Sequence, residues 1–161
     1  MSNDNLINLK INMKYGKGRC DLLPLGVVFK FLTECNDTDV DAETRNILHC
    51  LYMFQKTQNT DYLYSILDYV SEYMYSNKYT MLLDLSIQFE KKAEKHGIDS
   101  WKKEIPKWSY LDSAIRHFLK WLRLDADEKH GREFIWNVFC LIYTIENKGD
   151  NDDINNFYCP N

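Results

Sequence analysis

Residues that interrupt helices are scarce in this sequence, which has only three prolines and six glycines among its 161 residues. A sandwich or barrel of many short strands needs turns at close intervals, and proline and glycine usually supply them. The scarcity therefore favours long helices over an all-β fold.

Long apolar segments are also missing. No stretch approaches the roughly 18 continuous apolar residues of a membrane-spanning helix. Residues 1–14 lack the apolar block and the small-residue cleavage site of a signal peptide. We therefore expect a cytoplasmic protein that has no membrane partner.

Several signatures of catalytic sites are absent from the sequence. It contains no glycine-rich phosphate loop, no nucleophile elbow, no adjacent His-Asp pair and no zinc-type Cys/His spacing. The number of cysteines is odd and none of them forms a CxxC pair, so we expect free thiols at Cys20, Cys35, Cys50, Cys140 and Cys159.

The composition is that of a globular protein. Hydrophobic residues make up 45% of the chain, with eight Phe, eleven Tyr and four Trp, and the length suits one domain (1–161). The formal net charge is −4, which gives no indication of a nucleic-acid partner for the protein as a whole.

Apolar residues recur at helical spacing along most of the chain and predict an all-α, single-domain bundle of about six helices. We expect an irregular arm over residues 1–20, with a short extended piece at Leu6–Met13, and a loose tail from Asn147. The first predicted helix runs from about Leu23 to Glu34, and the second follows a cap at Asp37–Asp41 and ends near Lys56. The third begins at a Thr60 cap, and the fourth runs from a Thr80 cap to Gly97. The fifth begins at a capping box formed by Ser109 and Asp112, and the sixth runs from an Asp127 cap to about residue 146.

Two carboxylates lie four residues apart on the fourth predicted helix. Glu90 and Glu94 share a face beside the apolar stripe of that helix, where they can reach an interhelical cavity and bind Mg²⁺ through oxygen. The alternative is that they pair with neighbouring lysines on a solvated face, which is common on helical surfaces.

A second cluster, on the fifth predicted helix, combines Asp112, Arg116 and His117. Asp112 and Arg116 form an i,i+4 pair that is favourable in any helix. Arg116 and His117 together can present donors to a phosphate group, since the guanidinium fork matches phosphate oxygens. A structural role is the alternative for each of them.

A third cluster combines Asp127, His130, Glu133 and Asn137. The last three share a face that interrupts an otherwise apolar helix, and a buried Asn is either a member of a hydrogen-bond network or a site residue. For Asp127 the alternative is an ordinary helix cap.

Basic residues are dense between the fourth and fifth predicted helices, although the protein is acidic. Two tryptophans, Trp101 and Trp108, lie in this region. Such a mixture can hold phosphates and stack a base, which leaves open a nucleic-acid binder; a solvated charge run is the other interpretation. The lysines are Lys91, Lys92, Lys95, Lys102, Lys103 and Lys107.

These clusters follow one another in the order of a known pattern. The pattern covers about 70 residues and has four parts. They are Gly18-Arg19-Cys20-Asp21-Leu22-Leu23-Pro24, the run from Glu90 to Gly97 with Ser100-Trp101, the run Asp112-Ser113-Ala114-Ile115-Arg116-His117, and Asp127 with His130 and Trp136-Asn137. Together they resemble the phage dATP/dGTP diphosphohydrolase-like family, which is related to the MazG nucleotide pyrophosphatases.

The resemblance implies a Mg²⁺-dependent nucleoside triphosphate pyrophosphohydrolase that releases pyrophosphate, with a helical core at residues 80–146. It also implies a homo-oligomer in the cytoplasm of an infected bacterial host. The residues that would hold the metal or the attacking water are Glu90, Glu94 and Asp127. Those that would neutralise phosphate charge are Lys95, Arg116 and His117. Trp101 would stack the base, and Arg19, Asp21, Asp112, His130 and Asn137 would complete nucleotide binding or orient the others.

The sequence departs from the family pattern at positions 20, 92, 96 and 100, and residues 35–79 match no part of the family core. We interpret residues 35–79 as a helical insertion. These departures favour an alternative function, in which the protein binds and sequesters an immune signalling nucleotide of the host without turning it over.

Overall fold

The computed structural model describes residues 16–35, 40–103 and 105–148, and within them it contains six α-helices and no strands. The prediction of an all-α, single-domain bundle of about six helices is confirmed. None of the helices in these ranges is both long and apolar enough to cross a membrane. The predicted extended piece at Leu6–Met13 lies outside the described residues.

The helices are α1 (Leu25–Glu34), α2 (Ala42–Thr57), α3 (Asp61–Tyr75), α4 (Lys78–His96), α5 (Lys107–Leu122) and α6 (His130–Lys148). Single 3₁₀ turns form at Cys20–Leu22 and Ser100–Lys102. Helix α6 continues through Lys148, so the predicted tail begins at least two residues too early, and residues 149–161 lie outside the described part.

Side-chain caps and a glycine set several helix ends. The Asp41 carboxylate accepts the Thr44 N–H at 2.7 Å, and the Asn77 side chain accepts the Thr80 N–H at 2.9 Å. Helix α4 therefore begins at Lys78, and the prediction that Thr80 caps it is wrong. Its end at Gly97 is as predicted, because this residue has a φ of 90° and donates its N–H to the carbonyl of Ala93.

Two other predicted helix starts are also wrong. Helix α5 begins at Lys107 rather than after a capping box at Ser109, because Asp112 is engaged by the backbone of residue 20 instead. Helix α6 begins at His130, three residues after Asp127, and the Asp127 side chain contacts the His130 ring. Asp112 contacts a residue far away in the chain, and Asp127 contacts a side chain rather than a helix N–H, so a local capping pattern reveals neither contact.

The core lies between α5, α6 and the neighbouring helices α2, α3 and α4. Helix α5 packs along α6, with the rings of Phe118 and Phe134 5.0 Å apart at their centroids and both side chains fully buried. Phe54 of α2 and Ile66 of α3 are also fully buried in this core. Burial of such side chains contributes roughly 1.5–3 kcal/mol each.

One carboxylate connects three helices. Asp84 of α4 accepts hydrogen bonds from Arg132 of α6, which is 94% buried, and from the Tyr75 hydroxyl of α3 at 2.5 Å. The Arg132 hydrogen bonds and charge hold the pKa of Asp84 below its usual value, and the Tyr75 hydroxyl adds to that effect. The charged form of Asp84 is therefore the one that stabilises the folded protein.

We expect Asp84→Asn to lower the free energy of unfolding by about 2 kcal/mol at pH 7, because it leaves the buried Arg132 charge without its carboxylate. A carboxyl group with a depressed pKa stabilises the fold above its unfolded value of about 3.9 and loses that effect as the pH falls through its folded value. The difference between the two proteins, measured by chemical denaturation, should therefore shrink between pH 7 and pH 3.

The matched control is Asp68→Asn, which removes the exposed ion pair with Lys78 and should leave stability unchanged. If the free energies of unfolding of Asp84→Asn and the parent differed by the same amount at pH 7 and pH 3, the charged form of Asp84 would not be the stabilising one.

Candidate functional site

Polar side chains from three helices meet along one side of the bundle. Helix α4 contributes Gln88 and Lys92, helix α5 contributes His117, and helix α6 contributes His130 and Glu133. The α6 residues lie about one turn apart on one face, as predicted from their spacing. These polar side chains face one another where α4, α5 and α6 meet, and we call this region the polar boundary.

At one end of this boundary lies the histidine cluster, which we define as His117, His130, Asp127 and Glu128. The Nδ1 atoms of the two imidazoles are 3.0 Å apart, and Nε2 of His130 lies 2.7 Å from Oδ1 of Asp127. Oε1 of Glu128 is 3.6 Å from Nδ1 of His117 and 3.7 Å from Nδ1 of His130. Three of these four residues were predicted as site residues; Glu128 was not.

Burial governs the protonation of His117. It lowers the pKa of this residue to about 4, and the neighbouring His130 and the charges of Lys92 and Lys120 act in the same direction, whereas Glu133 opposes them. His117 is therefore neutral at physiological pH. The hydrogen bond with His130 lowers the pKa of Asp127, which remains a carboxylate.

Glu133 connects the histidine cluster to the next part of the boundary. Its carboxylate accepts a hydrogen bond from Gln88 at 2.5 Å and lies 3.2 Å from the Lys92 ammonium. The Lys92 ammonium also lies over the Trp136 ring, 4.8 Å from its centroid. Helical spacing groups Glu133 with His130, whereas no pattern in the sequence marks Gln88.

Beyond Glu133 lies a cavity of about 240 Å³, which we call the lysine cavity. Its lining includes Lys17, Lys92, Lys95, His96, Trp136 and Asn137. The structure thus brings two predicted nucleotide-binding residues, Lys95 and Asn137, to one cavity. His130 and Asn137 are seven residues apart on α6, so the cavity and the histidine cluster are about 10 Å apart.

Four other predicted site residues contact one another instead of this cavity. The buried Asp112 accepts the Cys20 N–H and an Arg116 N–H, both at 2.8 Å, and the same Arg116 nitrogen donates to the Gly18 carbonyl at 2.5 Å. Asp21 accepts hydrogen bonds from Nε and Nη2 of Arg19, and that guanidinium lies 3.6 Å from the centroid of the Trp108 ring. In this structure these residues fasten the segment 18–24 to α5.

Trp101 lies in an aromatic group rather than at the cavity. Its ring meets Phe89 edge to face at 5.3 Å and Tyr143 at 4.7 Å, and Lys102 lies over it. The side chain is half-buried. Its role as a stacking platform for a base stays a prediction.

The predicted magnesium ligands do not come together within the described chain. Glu90 and Glu94 are exposed on α4, and among the residues that the structure describes they form no metal-sized group with Asp127. Asp127 belongs instead to the histidine cluster, where nitrogen atoms provide much of the ligand set. The magnesium site stays a prediction, and the described residues do not supply an oxygen-rich site that fits this ion.

Comparisons with protein-family models, with curated proteins and with solved structures find no match to this chain. The resemblance to the phage diphosphohydrolase-like family therefore remains a prediction from the motifs alone. The functional assignment depends on the geometry of the cavity and the cluster.

We expect Asp112→Asn to lower the free energy of unfolding by about 3 kcal/mol, because it leaves the partly buried Arg116 charge without its carboxylate. It should also weaken the attachment of the segment 18–24, so trypsin should cut after Arg19 faster under native conditions. Chemical denaturation and mass spectrometry of the tryptic fragments measure the two effects.

The control is Asp125→Asn, which removes a partly buried carboxylate paired with the exposed Arg123, far from the segment 18–24 in the chain, and should not change cleavage after Arg19. Unchanged cleavage after Arg19 in Asp112→Asn would mean that this carboxylate does not hold the segment in place.

Proposed function

We propose that the protein binds a nucleotide, with the phosphate groups in the lysine cavity. The observation that carries this proposal is the convergence of Lys17, Lys92 and Lys95 on one cavity of a protein whose net charge is −4. Lysine ammonium groups bind phosphate as point charges and do not require a rigid geometry.

The three lysines contribute unequally. Glu133 already neutralises part of the Lys92 charge at 3.2 Å. Lys95 and Lys17 are exposed at the cavity, and neither forms an ion pair within the described residues. An incoming phosphate would therefore gain most from Lys95 and Lys17, while Lys92 would be shared with Glu133.

The size of the cavity limits what it can enclose. Sites that surround a whole drug-sized ligand have volumes of roughly 300–1,000 Å³. The volume of about 240 Å³ suits the phosphates and part of a sugar, with the base outside the lysine cavity. This matches the position of Trp101 in the neighbouring aromatic group, away from the cavity itself.

Hydrolysis to a nucleoside monophosphate and pyrophosphate is the activity that the resemblance implies. Its support is the histidine cluster next to the cavity. Two features count against turnover by a single chain: the predicted magnesium ligands are dispersed, and a histidine whose pKa is about 4 is a weak base at pH 7. A phage pyrophosphohydrolase would therefore need further carboxylates, from a second copy of the chain or from residues outside the described ranges.

The same dispersed carboxylates favour the second candidate function, sequestration of a nucleotide without turnover. The two candidates differ in the fate of the ligand. Incubation with dATP, dGTP and other nucleotides in the presence of Mg²⁺, followed by denaturation and chromatography, distinguishes them. Recovery of intact nucleotide from a tight complex supports sequestration, whereas release of pyrophosphate supports the hydrolase.

We expect Lys95→Met to raise the Kd for dATP or dGTP by roughly 10- to 100-fold, because a hydrogen bond to a charged group is worth about 1.5–3 kcal/mol. Isothermal titration calorimetry measures the change. The matched control is Lys91→Met, which removes an exposed lysine from the same helix without touching the cavity. Equal affinities of the two variants, or no binding by the parent protein, would exclude the lysine cavity as the phosphate site.

A further inference from the structure

The histidine cluster has the geometry of a metal site. Nδ1 of His117, Nδ1 of His130 and Oε1 of Glu128 form a triangle with edges of 3.0, 3.6 and 3.7 Å. A tetrahedral ion with bonds of 2.0–2.1 Å holds its ligand atoms about 3.3 Å apart. The observed edges lie on both sides of that value, so one ion can reach all three atoms with small adjustments.

Asp127 supplies the outer contact that metal-binding histidines usually have. Its Oδ1 lies 2.7 Å from Nε2 of His130, so the Nε2–H can donate to the carboxylate. This places the lone pair of His130 on Nδ1, the atom that faces His117 and Glu128. A carboxylate behind a ligating imidazole fixes the orientation of the ring and raises its basicity.

A hydrogen bond between the two imidazoles is the alternative explanation for their short contact. It requires a proton on one of the two Nδ1 atoms, either that of a neutral His117 or that of a doubly protonated His130. The first arrangement leaves the Glu128 carboxylate beside two uncharged rings, with no donor directed at it from the described residues. The second places a cation beside Asp127 and Glu128, which is the position that a metal ion would take.

We propose that His117, His130 and Glu128 bind one divalent transition-metal ion of the zinc type, with Asp127 as the positioning residue. Two nitrogen donors and one oxygen donor suit Zn²⁺ or Co²⁺ better than Mg²⁺, which prefers oxygen ligands in octahedral geometry. Three protein ligands leave a fourth position open, as in catalytic zinc sites. The proposal does not depend on nucleotide binding.

Charges of both signs surround the cluster. Glu133 and Asp127 are the carboxylates on the α6 side, while Lys120 lies 3.7 Å from Asp127 and Lys92 is paired with Glu133. Asp125 faces the other side of His130, but both of its oxygens already contact Arg123. The Nδ1 side of His130 is therefore the more accessible one for an ion.

The test uses the full chain without a histidine tag, freed of metal by a chelator. Equilibrium dialysis against Zn²⁺ with elemental analysis measures stoichiometry, and the visible spectrum after addition of Co²⁺ measures coordination. We expect one ion per chain and the intense absorption of four-coordinate cobalt. A tenfold excess of Mg²⁺ should not displace it.

His117→Gln and Glu128→Gln should each lower the affinity for Co²⁺ by about 100-fold or more, and Asp127→Asn by roughly 10- to 100-fold. Glu128 is 43% exposed, so its variant should fold even if His117→Gln does not. The matched control is His49→Gln, which removes an exposed histidine of α2 and should bind like the parent.

Three outcomes would overturn the proposal: no bound Zn²⁺ or Co²⁺ in the parent protein, equal competition by Mg²⁺, or unchanged affinity in both Glu128→Gln and His117→Gln. Binding that is lost in Asp125→Asn but retained in Glu128→Gln would assign the ion to the other side of His130. Because no nucleotide takes part, failure here leaves the proposed nucleotide binding to be judged on its own experiment.

Discussion

The contact between Phe118 and Phe134 sets how α5 lies along α6, and the polar boundary depends on it. Both rings are fully buried with centroids 5.0 Å apart, so neither helix can slide or rotate without opening a cavity in the core. His117 is next to Phe118 in the chain, and His130 is one turn before Phe134 on α6. The same packing that excludes water from the core therefore brings the two imidazoles to 3.0 Å.

Buried charges in this bundle are used in two different ways. Asp112 and Asp84 hold distant parts of the chain together, and each has a cationic partner and further hydrogen bonds that offset the cost of burial. Glu133 and Lys92 are different, because they lie between the histidine cluster and a cavity that a ligand can enter. Residues of the first kind determine the fold, whereas those of the second kind can exchange a protein partner for a ligand.

The sequence predicted the helices well, since apolar periodicity records which face is buried, but it predicted their starts and the site less well. Spacing alone could not tell that α4 turns Gln88 inward and leaves Glu90 and Glu94 exposed, because carboxylates at the edge of an apolar stripe fit either arrangement. Glu128 was missed because it precedes the helix, and its distance from His117 depends on the turn after α5. The shared face of His130, Glu133 and Asn137 was predictable, since helical spacing fixes it.

The cavity and the cluster are coupled electrostatically through Lys92. Its positive charge lowers the pKa of His117, whereas the negative charge of Glu133 raises it. A phosphate bound as proposed in the lysine cavity would compete with Glu133 for Lys92, and it would add negative charge about 10 Å from the imidazoles, where a buried site is only weakly screened. Both effects would favour positive charge at the cluster, whether it is a proton or a metal ion. Binding in the cavity and binding at the cluster should therefore reinforce each other, because an anion in one site makes the binding free energy of a cation in the other more favourable, and the reverse holds equally.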